Sequence, residues 1–155
     1  MSLATSRLSG APSTAAEPPR LARQLGAAGL IPFALGAALT WLVYPEAQPL
    51  VTLALAGYAA CTVAFLGGIH WGLAMRAGAG EPAHFAWSVV PPIVAALGVL
   101  MPAYAGLVLL GAMLLVCYAV DRRLYAVQGQ SAWLTLRFRL SAVASLCCFI
   151  GAAGT

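Results

Sequence analysis

Long apolar runs, separated by short polar or proline- and glycine-rich segments, occupy the chain from residue 25 to residue 153. An α-helix needs about 20 apolar residues to cross the hydrocarbon core of a bilayer. The pattern predicts five such spans, at about residues 25–43, 49–73, 85–101, 103–120 and 133–153. The expected fold is therefore an all-α, polytopic integral membrane helical bundle.

The two ends of the chain depart from this pattern. Residues 1–20 contain few large apolar side chains, so we predict a disordered tail, with residues 21–155 forming a single transmembrane domain. In the last span the purely apolar stretch, residues 140–153, is too short to cross unaided. A full crossing requires Arg137 and Arg139 to extend to the lipid headgroups. The alternative is four crossings followed by an interfacial segment.

Prolines predict irregular backbone inside two of the spans. Pro32 should kink the first, because proline removes one helical hydrogen bond and clashes with the preceding turn. Pro91 and Pro92 should free the carbonyls of Trp87 and Ser88 in the third. Freed carbonyls survive in a bilayer only against protein or a wet cavity. Both a packing kink and a polar cavity are compatible with this pattern.

Composition and charge support the membrane assignment and predict its orientation. Hydrophobic residues make up 62% of the chain and charged residues only 8%, which is too few to cover a water-soluble domain. Five spans would bring every arginine to one face of the membrane, which predicts a cytoplasmic N-terminus. These are Arg7, Arg20, Arg23, Arg76, Arg122, Arg123, Arg137 and Arg139. Topology and anionic lipids explain the net charge of +4, so we expect no nucleic-acid partner.

Small residues in the second span form a candidate packing seam. Residues recur every four positions at Ala56, Ala60, Ala64, Gly68 and Gly72. Such small-xxx-small patterns let membrane helices approach closely. The seam is explained by packing within the bundle, by contact with a second copy or another membrane protein, or by a ligand groove.

A polar cluster is the candidate functional site. It comprises His70, Trp71, Trp87, Ser88 and Asp121. His70 should point away from Gly68 and Gly72, towards the side of Val63, Leu66 and Ala74. Ionisable residues inside a membrane are functional candidates, although a histidine near the interface also serves structural hydrogen bonding. Asp121 should pair with a nearby arginine, because a buried carboxylate needs a counter-charge. The candidates are Arg76, Arg122, Arg123, Arg137 and Arg139.

No segment carries a strong catalytic, metal or cofactor motif. The four cysteines lie in apolar runs without the spacing of a zinc or haem attachment motif. Ser141 and Ser145 lack the context of a nucleophilic serine. We therefore predict no catalytic residue, no bound metal and no cofactor, and expect a protein that is not an enzyme.

The order of these motifs resembles a known family. Gly29 to Phe33, the run Phe65-Leu66-Gly67-Gly68-Ile69-His70-Trp71-Gly72, Ser88 to Pro92 and Arg137 to Leu140 look like the small membrane proteins grouped as domain of unknown function 3429. Eukaryotic relatives of that group are called transmembrane protein 69. The resemblance implies the fold and a bacterial inner membrane location, and it implies no reaction.

Three functions remain open at the level of sequence. The leading hypothesis is a non-enzymatic accessory or assembly protein that packs against a larger inner-membrane complex. The alternative is a small oligomeric transporter or channel using a cavity near His70 and the Pro91-Pro92 kink. A redox or quinone-site role ranks third. The lipid bilayer is the one partner that all three share.

Overall fold

The protein is a bundle of antiparallel helices in a computed structural model that describes residues 18–77, 82–127 and 131–155. The described helices are α1 (Arg20–Ala28), α2 (Ile31–Leu42), α3 (Gln48–Ala77), α4 (Pro82–Leu100), α5 (Ala103–Val127) and α6 (Leu134–Ala153), with a 3-10 turn at Ser131–Trp133. The described residues contain no strand. The predicted all-α class is confirmed. The predicted disordered tail falls almost wholly on residues 1–17, which lie outside the described residues.

Length and apolar character identify the helices that can cross a bilayer. In the described part of the chain, four segments qualify: Arg20–Leu42, Gln48–Arg76, Ala103–Arg123 and Leu134–Ala153. The apolar helix Phe85–Leu100 is the shorter fifth member. These five segments correspond to the five predicted spans, and together they form a polytopic membrane bundle.

The first span is interrupted at Gly29 and Leu30, which form a turn between α1 and α2. Pro32 therefore lies in the first turn of α2, where a missing backbone N–H costs little, and the irregularity predicted for this span falls directly before it. The Tyr58 hydroxyl of α3 donates a hydrogen bond to the Gly29 carbonyl over 3.0 Å. The interruption is thus held by a contact from another helix.

The third span stays helical through both prolines, from Pro82 to Leu100. A side chain at Gly67 of α3 would lie 2.7 Å from the Ser88 carbonyl oxygen, so only glycine allows α3 to approach there. The same added atom would lie 3.0 Å from Pro92 and 3.2 Å from Pro91. The predicted break is therefore replaced by close packing of α3 against the proline-bearing turn.

The core lies where α3 contacts α2, α4 and α5, while α6 packs against α5 and α2. Its largest fully buried side chains include Phe33, Val63, Leu107, Leu110 and Leu114. At one end of the bundle, Gln48 donates to the carbonyls of Thr40 and Gly154. At the other end lie the start of α1, the ends of α3 and α5 and the start of α6; we call this the arginine end.

Candidate functional site

Asp121 is a fully buried carboxylate in α5, near the arginine end. The apolar pattern predicted that its helix would end at residue 120, yet α5 continues to Val127. A helix can continue past a charged residue inside a bundle when that charge is neutralised by neighbours. The surroundings of Asp121 meet this condition.

Two side chains from other helices approach the Asp121 carboxylate. Arg137 of α6 donates from Nε to Oδ2 over 2.6 Å. His70 of α3 brings Nε2 within 2.8 Å of Oδ1. This second contact is close but not a well-aligned hydrogen bond, since both atoms lack a hydrogen-bonded partner. The three residues form what we call the His-Asp-Arg cluster.

Because the cluster is buried, an uncompensated charge within it would be costly. Asp121 is 0% exposed, His70 2% and Arg137 15%. The carboxylate and the guanidinium cancel, so the cluster is neutral when the imidazole is neutral and carries one positive charge when it is protonated. Breaking a buried pair by removing one partner costs roughly 3–5 kcal/mol. The cluster therefore ties α3, α5 and α6 together.

One donor in the cluster remains unsatisfied. Arg137 Nη2 is buried and has no hydrogen-bond partner. Asp121 contacts Arg137 through Nε alone, since Oδ2 accepts from Nε and Oδ1 lies beside His70. A buried donor without a partner is unfavourable. The arginine is thus held through Nε, while its buried Nη2 has no partner.

His70 lies on the side of α3 that the sequence predicted. Val63, Leu66 and Ala74 share its face, and all three are buried. The helical spacing therefore identified the inward face of α3. Among the partners proposed for Asp121, the structure pairs it with Arg137. Its contact with His70 was not anticipated.

The other members of the predicted polar cluster make their described contacts elsewhere than at Asp121. Trp71 is half exposed and packs edge-to-face on Phe85, with ring centroids 5.3 Å apart. Ser88 is buried and donates to the Phe85 carbonyl over 2.6 Å. Trp87 packs on the core, and its buried indole N–H has no partner. No described contact joins these residues to the His-Asp-Arg cluster.

The candidate seam on α3 divides into a buried part and an exposed part. Ala56 and Ala60 lie in the core, and Ala64 is half-buried. Gly68 and Gly72 are exposed, and a side chain added at either would meet nothing within 4 Å. A strict four-residue repeat drifts by about 40° per step around a helix, so these five positions cannot share one seam.

The arginines separate into two environments. Arg137 turns inward to Asp121, in place of the predicted extension towards the headgroups. Exposed positions at the same end are held by Arg76, Arg122, Arg123 and Arg139. Apolar periodicity alone does not distinguish Arg137 from Arg139, because the difference depends on where Asp121 lies in α5.

The described residues include no group of three or more His, Cys, Asp or Glu side chains that could hold a metal ion. Within the described chain Cys61, Cys117, Cys147 and Cys148 are all free thiols. The contacts of the cluster itself are an ion pair with a hydrogen bond between Arg137 and Asp121 and a close approach of His70.

Comparison with known proteins gives a family for the chain. Residues 18–153 match the family model described as "Protein of unknown function (DUF3429)". Searches of curated proteins and of solved structures found no match. The matched range includes all six helices and the whole His-Asp-Arg cluster. The chain therefore belongs to the DUF3429 family.

Proposed function

We propose that this protein is a non-enzymatic accessory or assembly protein of a membrane complex, which packs against a partner through an exposed flank of α3. The observation that carries the proposal is the open surface at Gly68 and Gly72, which the bundle leaves uncovered. Glycines exposed on a membrane helix allow a second helix to approach closely.

The flank extends beyond these two glycines. Gly57, Cys61 and Ala64 lie within an arc of about 80° that also contains Gly68 and Gly72. Cys61 is exposed, and a side chain added at Gly57 would meet nothing within 4 Å. Exposed aromatic rings at Phe65 and Trp71 border it. We call these five small residues the open flank of α3.

Affinity purification from native membranes in mild detergent tests the proposal. Wild-type protein is expected to retain a stoichiometric membrane-protein partner, whereas Gly68→Leu and Gly72→Leu should lose it, because the larger side chain separates the helices. Ala112→Leu places the same side chain at an exposed position of α5 and serves as the matched control. A wild-type protein that purifies alone, or variants that keep the partner, would contradict the proposal.

A small oligomeric transporter or channel is the second candidate. The buried His-Asp-Arg cluster supports it, because an intramembrane imidazole beside a carboxylate can carry a proton or bind an ion. In the described part of the chain, the main cavities are lined by neither His70 nor the Pro91-Pro92 turn. A flux in proteoliposomes that His70→Ala abolishes, with the protein still folded, would favour this function over the first.

We further propose that the protein resides in the inner membrane of a bacterium with its arginine end in the cytoplasm. The support is the positive charge at that end, where Arg76, Arg122, Arg123 and Arg139 are exposed. The lipid bilayer is then a partner along the whole apolar surface.

A further inference from the structure

A cleft opens on the side of the bundle between the α1–α2 turn, α3 and α6. It consists of two neighbouring cavities of about 540 and about 390 Å³. Both are lined by Gly26, Phe65, Arg137 and Leu140, so they meet at these residues. We call the pair the lateral cleft. Its combined size is in the range of small-molecule sites.

The lateral cleft is open to the apolar surroundings of the bundle. Leu25 and Phe65 line it and are 63% and 67% exposed. The larger cavity extends towards Leu73 and Trp133 at the arginine end, and the smaller extends along α6 to Ala144. From Arg137 to Ala144 the rise of α6 is about 10 Å. A molecule dissolved in the membrane can therefore enter sideways and lie along the helices.

Arg137 is the polar feature that distinguishes this cleft from a surface groove. Arg137 lines both cavities, and its side chain is 15% exposed. Its Nη2 is buried behind this surface and has no acceptor within the protein. Three residues with hydroxyls line the smaller cavity. Tyr58 donates to the Gly29 carbonyl and Thr62 to the Tyr58 carbonyl, while Ser141 lies one turn of α6 from Arg137. Arg137 is the charged donor of the lining, so a ligand acceptor would be drawn to it.

The ion pair sets the chemistry of that acceptor. Asp121 already neutralises the charge of Arg137 through a 2.6 Å contact. The guanidinium therefore needs a further hydrogen-bond acceptor, but it does not need a second counter-ion. The rest of the lining is mainly apolar, including Phe33, Leu136 and Leu140. The matching ligand has an oxygen acceptor at one end and an apolar body.

We propose that the lateral cleft binds a membrane-dissolved amphiphile whose head presents an oxygen acceptor to Arg137, with its apolar body lying along α3 and α6. Two kinds of molecule carry this chemistry: a quinone ring with an alkyl tail, and the ester and phosphate oxygens of a phospholipid. The lateral cleft adjoins the open flank of α3 at Cys61, but the proposal does not depend on the proposed function.

Binding to the purified full chain tests the proposal, with native mass spectrometry reporting stoichiometry and titration reporting affinity. The probes are decyl-benzoquinone, dioctanoyl phosphatidylglycerol, and decylbenzene, which has an alkyl chain and no oxygen. We expect one oxygen-bearing molecule per chain and weaker binding of decylbenzene. Preference for the quinone or for the phospholipid identifies the source of the natural ligand.

Two variants alter the cleft by independent routes. Arg137→Lys keeps the positive charge beside Asp121 but removes Nη2, and should weaken binding about tenfold or more. Ala22→Phe fills the larger cavity without touching the His-Asp-Arg cluster and should also weaken binding. Arg139→Lys, at an exposed position two residues from Arg137, is the matched control and should bind like wild type.

Three results would overturn the proposal. One is no binding of either oxygen-bearing probe. Another is decylbenzene binding as tightly as those probes. The third is unchanged affinity in Ala22→Phe, which remains decisive even if Arg137→Lys fails to fold.

Discussion

At the scale of single residues, the bundle depends on a few polar side chains whose partners come from distant parts of the chain. Asp121 meets His70 and Arg137, so one carboxylate connects three helices. Ser145 donates to the Gly111 carbonyl over 2.8 Å, which adds a second link between α6 and α5. The hydrogen bonds from Arg137 and Ser145 each satisfy a group that would otherwise be costly in an apolar interior.

The ion pair in the cluster leads to a prediction of coupled stability. Asp121→Ala or Arg137→Ala should each destabilise the protein by roughly 3–5 kcal/mol, because each leaves an uncompensated buried charge. The double variant should lose clearly less than the sum of the two, since it removes both charges together. Unfolding in mixed detergent micelles, followed by circular dichroism, measures all three.

Arg139→Ala is the control for these variants, because Arg139 is exposed and close to Arg137 in sequence. Its stability should differ from that of wild type by less than about 0.5 kcal/mol. Strictly additive losses in the double variant would show that Asp121 and Arg137 do not act as a pair.

At the scale of helices, adjacent glycines in α3 have opposite roles. Gly67 faces the proline-bearing turn of α4, where its missing side chain allows contact with the Ser88 carbonyl. Gly68 is exposed and meets nothing. The sequence Gly67-Gly68 does not reveal this difference, because one step along a helix rotates the side chain by about 100°.

Alanine should therefore destabilise the protein at Gly67 but not at Gly68. Gly67→Ala should destabilise the bundle by about 1–3 kcal/mol, because the added methyl group would lie 2.7 Å from a backbone oxygen. Gly68→Ala should be neutral or stabilise by up to about 1 kcal/mol, because alanine loses less backbone entropy in a helix. Detergent unfolding of the two variants makes the comparison, and equal effects would contradict this assignment of faces.

At the scale of the whole molecule, the helices alternate in direction and bring the arginines to one end. Four described segments are long and apolar enough to cross, and α4 is the shorter fifth. The opposite end is closed by short links, including the Trp41 indole donating to the Ile150 carbonyl over 3.1 Å. Charge at one end and few polar groups at the other are consistent with a single orientation in the membrane.

Reporter fusions test this orientation and the number of crossings together. With five crossings and a cytoplasmic N-terminus, alkaline phosphatase fused after Thr155 should be active, whereas fusion after Gln128 should leave it inactive. Green fluorescent protein at the same two sites should give the reverse pattern and is the internal control. An inactive phosphatase at Thr155 with an inactive one at Gln128 would indicate four crossings.

By itself, the sequence determined the helical class, the five apolar segments, the grouping of the arginines and the inward face of His70. These features follow from local composition and from the helical repeat, which depend on neighbouring residues only. The family match over residues 18–153 agrees with the resemblance in the motifs.

Tertiary structure alone decided which polar groups meet. Tyr58 contacts the break at Gly29, Gly67 lets α3 pack on the proline-bearing turn of α4, and Arg137 turns inward to Asp121. Each is a contact between helices far apart in the chain, whose relative rotation and depth no local pattern encodes. The lateral cleft depends on the same information, because its walls come from α1, α2, α3 and α6 together.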